Sequence, residues 1–433
     1  MVAIGPANAE GPSVPAPIAV ADSTDDFAPT ASVPWNPPRA VPTHESWEQV
    51  LNAPLTLLSL PIRALGALAE AGLLRAQEDH LVPRAQYGLA ATAKSGIIVA
   101  VGGIEDGSGL GGAVRYAPPQ ARGWLRGGLA GTFRHYHRGQ VELGPPWLAA
   151  AYVHDWRPEE SFFGIGADAV EADASDFALQ AERVGLRVAL RTGTRWRSEL
   201  DAWVGERRSV LRSGRASDRP SVEEVFPELT AGTLDVPQIH QIVGARVALD
   251  TRAGRPHWSR GSRLEAQAEH FGHVRGDGLV FEGDRDTPGF RRFTLAGQAG
   301  WSFMRDPRTL RLNVRLVDIQ PLDPSRPPPL YDLSRLGGGI GLGAFEPGRF
   351  HDLDLLVVKL GYIFPLVEYG ELELSSEIGA VSGDVWNETR IDRLERTYSV
   401  VLRPRSHTAP IGSIGLSWGR EGTRVRASLG GVE

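Results

Sequence analysis

Arg183-Val184-Gly185-Leu186-Arg187-Val188-Ala189-Leu190-Arg191 carries arginine or a small residue at every odd position and valine or leucine at every even one. A strand sets successive side chains on opposite faces, so this stretch has one aliphatic face and one arginine face. The split recurs. Arg263, Glu265, Gln267 and Glu269 interleave with Leu264, Ala266 and Ala268. Arg311, Asn313 and Arg315 interleave with Leu312, Val314 and Leu316, and Glu371, Glu373 and Glu377 with Leu372, Leu374 and Ile378. Segments of about ten residues with this dyad pattern, repeated along a chain, mark a transmembrane β-barrel. The aliphatic face meets lipid; Arg183, Arg187, Arg191, Arg311, Arg315, Glu371 and Glu373 then line a wet lumen. A large soluble sandwich or propeller also alternates. It has no need of a charged face that recurs in nearly every strand beside such uniformly aliphatic partners.

Composition agrees. The chain has 433 residues, enough for one large barrel, and no cysteine, which rules out disulfides and thiolate metal sites. Net charge is −6, which does not favour a nucleic-acid partner. Only Lys94 and Lys359 are lysines; nearly all positive charge is arginine. Fifty-one glycines suit a sheet protein with many turns. Mean hydropathy of −0.19 argues against a helical membrane protein, but not against a barrel with a polar interior. The stretch closest to a spanning helix, Ala53–Leu74, is interrupted by Pro54, Pro61, Arg63 and Glu70.

Residues 1–42 read as a disordered leader rich in Pro and Ala, with an Ala7-Asn8-Ala9 pattern like the end of a signal peptide. Residues 43–80 hold the one convincing helical stretch. Ile62, Leu65, Ala69 and Leu73 share a face, as expected of a short amphipathic helix packed at the barrel mouth. Residues 81–433 then form the barrel, with strands expected near Gly96, Gly109, Trp124, Gly139, Asp176, Arg195, Gln238, Ser259, Gly289, Arg308, Tyr331, Asp352, Gly370, Arg396, Ala409 and Gly422, about sixteen in all. Longer connections are expected at Asp155–Ser175, Arg207–Pro237, Arg275–Pro288, Gln320–Leu330 and Gly383–Glu395. The fold class is all-β: an antiparallel transmembrane barrel of about sixteen strands with a short N-terminal helix.

Two stretches go beyond pattern. The first is Leu336-Gly337-Gly338-Gly339-Ile340-Gly341-Leu342-Gly343-Ala344-Phe345, continuing through Gly348-Arg349-Phe350 into a strand that ends Gly361-Tyr362-Ile363-Phe364-Pro365-Leu366. The second is Phe162-Phe163-Gly164-Ile165-Gly166-Ala167-Asp168. Together they resemble motifs of the BamA/TamA-like outer-membrane barrel superfamily (the bacterial surface antigen domain). The residues that carry the likeness are Phe163, Gly164, Gly166, Asp168, Gly338, Gly339, Pro365 and Gly379. Ser46-Trp47-Glu48 onward resembles the helix of a subgroup without POTRA domains, and the ninety or so residues before the barrel leave no room for one.

The resemblance implies a loop folded into the lumen, where an arginine at its tip pairs with an aspartate on a later strand. Here that arginine's position is Gly343 and the aspartate's is Glu377. Arg349 is the only cation near the tip. The expected internal lock is therefore Phe345, Arg349, Phe350 and Glu377, with Arg349 or an arginine of the wall neutralising Glu377. The end, Leu429-Gly430-Gly431-Val432-Glu433, lacks the terminal aromatic residue usual in such barrels.

Catalytic sets are missing from the sequence. His135 and His137 sit two apart without further metal ligands and read as polar barrel residues. Gly339-x-Gly341-x-x-Ala344 lacks the helix a dinucleotide fingerprint requires. No enzyme, cofactor or metal is expected. The resemblance implies a Gram-negative outer-membrane protein, partnered by outer-membrane lipid, that inserts, translocates or anchors a polypeptide client. A porin-like or lipid-conducting channel and a scaffold for a lipoprotein stay open beside it. The expected seam strands are Gly96–Ile104 and Arg424–Gly430, glycine-rich at the first and therefore weakly paired.

Overall fold

The computed structural model describes residues 96–429 except 106, 119–123, 194–195, 217, 253–259, 274–279, 282–286, 304–307, 368–369, 389–393 and 405–411. The expected leader (1–42) and amphipathic helix (43–80) lie outside the described residues, as does the chain after 429.

Among the described residues eighteen strands follow one another. They are β1 (Ile97–Gly102), β2 (Gly111–Tyr116), β3 (Leu125–Thr132), β4 (His137–Leu143), β5 (Leu148–Phe162), β6 (Ser175–Thr192), β7 (Arg197–Ser213), β8 (Gln238–Asp250) and β9 (Gly261–His273). Then come β10 (Phe290–Phe303), β11 (Arg308–Pro321), β12 (Ser334–Leu336), β13 (Phe350–Asp352), β14 (Asp354–Val367), β15 (Gly370–Ser382), β16 (Glu395–Pro404), β17 (Gly412–Gly419) and β18 (Gly422–Leu429). Sixteen of them form one antiparallel sheet in chain order, β11 pairing directly with β14. The remaining two, β12 and β13, pair only with each other. The fold is a sixteen-stranded transmembrane barrel with a two-stranded insertion between β11 and β14.

The faces divide as the alternation predicts. Leu186 (53% exposed), Leu190, Val204, Val247, Leu249 and Leu264 are bare on the outside. Arg187, on the other face, pairs with Asp201 on adjacent β7 (2.8 Å) and with Glu142 two strands away on β4 (3.2 Å). Arg246 reaches Asp201, Glu199 and Glu265, and Arg263 reaches Glu199, Asp250 and Glu265. Arg183 and Arg315 open onto a lumen cavity, and Arg311 lies 3.9 Å from Glu373. Arg191 stands exposed near the end of β6. Bare aromatics sit at the short-turn end of the strands: Trp124, Trp147, Trp196 (71% exposed), Trp301 and Phe303. Such a girdle belongs at a membrane–water boundary.

Three expectations are corrected. The connection placed at Asp155–Ser175 starts only after Phe162, because β5 runs on through Pro158. The register there shifts between Arg157 and Glu160, a bulge that accommodates a residue with no N–H to donate. The connection placed from Arg207 begins after Ser213. The strand expected near Tyr331 is no barrel strand: Leu330–Asp332 is a 3-10 turn inside the lumen. One missed wall strand and one spurious one cancel in the count. His135 sits in the β3–β4 turn at φ 63°, off the strand that carries His137.

Candidate functional site, a loop held inside the lumen

The insertion between β11 and β14 turns inward. Its tip residues Leu342, Ala344, Phe345 and Phe350 are buried, packed with Leu336 against Ile242, Phe271, Phe290, Val317, Ile319, Leu355, Val357 and Val381. Those contacts come from six neighbouring wall strands, so the loop lies across the lumen. Phe345 and Phe350 meet at 5.3 Å between ring centroids. Glycine permits the approach. A Cβ on Gly341 would fall 2.7 Å from Val357 Cγ1, and one on Gly343 2.7 Å from Ser417 Oγ.

Three polar clamps hold the loop. At the tip, Glu377 accepts the Gly343 N–H (2.9 Å) and pairs with Lys359 Nζ (3.1 Å). Lys359 also reaches Glu373 (3.3 Å), which Arg403 meets at 3.0 Å. Arg403 pairs with Glu371 as well.

The second clamp is Arg349, 3% exposed. Its guanidinium lies between the Phe163 ring (5.0 Å) and the Phe350 ring (4.8 Å). It donates to Glu421 Oε1 (2.8 Å) in the β17–β18 turn and to the Ala169 carbonyl (2.9 Å). Nearby, Glu346 pairs with Arg219 and with Arg424 of β18 (3.2 Å).

The third is Asp332, which takes a bidentate grip from Arg207 (Nη1–Oδ1 2.7 Å) and a contact from Arg292 at 3.6 Å. Burial alone would raise the Asp332 carboxyl. The two guanidiniums outweigh it and hold the group below the usual carboxylate range.

The two motif stretches meet here. The Gly166 N–H donates to the His351 carbonyl (2.7 Å), and Ile165 forms a parallel bridge with His351. The His351 ring lies 4.9 Å from that of Phe162 and is wholly buried. Desolvation, with Arg335 adding to it, pushes its pKa down to about 3. Gly164 and Gly166 adopt φ of 101° and 97°, and Gly338 one of 69°, where other residues are strained. Gly379 lies beneath Leu336, and Gly339 lines a lumen cavity. Asp168 points to solvent and Pro365 stands in β14 at a register shift.

The expected partner of Glu377 is corrected. Among the described residues neither Arg349 nor a wall arginine meets it; Lys359 does, directly opposite on the β14–β15 ladder. Sequence reasoning missed Lys359, Asp332, Arg207, Glu346 and Glu421. All but Lys359 and Arg207 sit in turns or loops that carry no alternation to read.

No family model and no curated protein matches the chain. Among solved structures it is similar to BamA from Haemophilus ducreyi lacking POTRA domains 1–3, at 11% identity and TM-score 0.49, covering 77% of this chain and 69% of that one. It is also similar to CdiB from Escherichia coli (12%, TM-score 0.47) and CdiB from Acinetobacter baumannii (12%, TM-score 0.43). Each covers 77% of this chain, while this chain spans only 62% and 59% of theirs. Likenesses this distant assign no activity.

Proposed function

We propose that the chain is an outer-membrane barrel that inserts, translocates or anchors another polypeptide through the seam between β1 and β18. One observation carries this reading. The two strands are neighbours, yet among the described residues no backbone ladder joins them. Unpaired N–H and C=O groups on facing edges are a template for an incoming strand. The wall is also lowest there. β1 has six residues and β18 eight, against eighteen in β6. At about 3.3 Å per residue and about 45° of tilt, β1 spans about 14 Å, short of the roughly 25 Å apolar band of such barrels. Lipid beside a short wall thins, which lowers the cost of passing a polar strand. The lumen loop is tied to the same place, through Glu346 to Arg424 of β18 and Arg349 to Glu421 at its start.

The test uses the purified barrel in vesicles and a urea-unfolded eight-stranded barrel as client. Val101→Cys with Val425→Cys, bridged by a short thiol cross-linker, should stop accelerated client insertion, and a cleavable linker should restore it once cut. Equal insertion rates with the seam bridged and free would overturn the reading.

A further inference from the structure

A compartment of about 470 Å³ lies between the lumen loop and the inner faces of β4–β7, β10 and β11. That is within the usual size of a small-ligand pocket, about 300–1,000 Å³. Seven guanidiniums line it, those of Arg138, Arg157, Arg183, Arg207, Arg292, Arg315 and Arg335, against the carboxylates of Asp155 and Asp332. Five of the arginines are spoken for. Arg138 pairs with Glu105 and Asp155, Arg157 with Glu105, Arg335 with Glu160 and Glu105, Arg207 with Asp332, and Arg292 with Asp332 and Glu269.

Arg183 and Arg315 are left over. Among the described residues neither has an ion pair or a hydrogen bond, although both open into the compartment. Arg207 and Arg292 stand beside Arg183, with Glu269 and Asp155 as its acidic neighbours, and Arg292 and Arg335 stand beside Arg315, with Glu265. Like charges gathered in a low-dielectric lumen repel, and a polyvalent anion between them turns that repulsion into attraction. Neutral groups that hydrogen-bond oxyanions line the same space: Gln140, Ser209, Thr294 and Ser334. Arg315, Arg335 and Ile340 also line a second cavity of about 720 Å³, so the compartment continues past the loop toward the β1–β2 turn.

We propose that this compartment binds a small multivalent oxyanion of the phosphate type, gripped between Arg183 and Arg315. The site stands independently of the seam: it needs neither an open wall nor a client.

The experiment measures binding of inorganic pyrophosphate to the full-length barrel in non-ionic detergent by calorimetry and thermal unfolding, with citrate and sodium chloride at matched ionic strength as further arms. Saturable pyrophosphate binding that raises the thermal midpoint is expected. Arg183→Gln with Arg315→Gln should weaken it by roughly tenfold or more, since two charge-assisted hydrogen-bonding groups are lost. The variant breaks no ion pair or hydrogen bond among the described residues, so it should fold and unfold in the absence of anion close to the wild-type midpoint. Arg-dependent citrate binding tighter than that of pyrophosphate would overturn the phosphate assignment in favour of a polycarboxylate. Binding equal in the double variant, or a midpoint that follows ionic strength alone in every arm, would overturn the site itself.

Discussion

Lys359→Met tests the clamp at the tip of the loop. Among the described residues Lys359 is the only cation paired with Glu377 and one of three near Glu373, which keeps Arg403 and Arg311 when the lysine is gone. Methionine keeps most of the lysine's volume and removes its charge, leaving Glu377, 6% exposed, with one Gly343 N–H to answer it. Removing one partner of a dry buried pair costs about 3–5 kcal/mol. The lysine side chain is 29% exposed to the lumen, so water screens part of that loss and about 1.5–3 kcal/mol is the reasoned range. At about 1.4 kcal/mol per factor of ten, the loop's open population should rise by roughly 10- to 100-fold.

The chain has no cysteine, so Ala344→Cys puts a single reporter at a tip position that is 1% exposed. Its rate of maleimide labelling in detergent reads opening directly. Adding Lys359→Met should raise that rate by the stated factor. Adding Glu377→Gln as well should lower it again, because a neutral amide still accepts the Gly343 N–H without a buried charge. A labelling rate unchanged within about twofold on Lys359→Met would refute the clamp, and failure of Glu377→Gln to rescue would refute its electrostatic origin.

Arg349→Ala should cost about 3 kcal/mol or more in thermal stability and be non-additive with Glu421→Ala, since the two groups meet at 2.8 Å; strict additivity would exclude the pair as a unit. Cysteines at Leu186 and Arg187 should label oppositely, the first with a lipid-confined probe and the second with an aqueous one, and equal aqueous labelling of both would contradict a membrane-embedded wall. His351 should make stability depend on acid. Its neutral form is favoured by folding, so its contribution is complete above the unfolded value of about 6.5 and falls toward about 3 by roughly 1.4 kcal/mol per pH unit. His351→Phe should flatten the slope of thermal midpoint against pH between 6 and 4, and an unchanged slope would place the acid sensitivity elsewhere.

The wall was legible because a single physical demand, lipid outside and water inside, repeats at every second residue. Arg187 and Leu186 could be assigned faces from their neighbours alone. The demand lapses where a strand rises beyond the bilayer. β5 is missing from the sequence reading, which places a connection at Asp155–Ser175; the strand absorbs Pro158 in a bulge and continues to Phe162. The stretch near Tyr331 failed in the opposite way. Residues in the lumen loop are buried on several sides by different wall strands, so apolar and polar residues mix there without a period, and Leu330 and Leu336 mimic a wall strand.

The lock was half legible for a related reason. That the loop turns inward is what the resemblance implies, and Phe345 and Phe350 at its tip are buried. Which cation meets Glu377 depended on register. Counted back from the tight turn, where Val367 pairs with Gly370, an unbroken ladder sets Leu360 opposite Glu377 and turns Lys359 away. The structure shifts register by one residue between Pro365 and Val367, which brings Lys359 opposite Glu377 and Ile363 opposite Glu373. Pro365 is the local cause available, since it cannot donate to the ladder and strands bulge around such a residue. A shift of one residue exchanges every pair along the hairpin, so the sole described lysine of the wall was invisible as a partner until the bulge was seen.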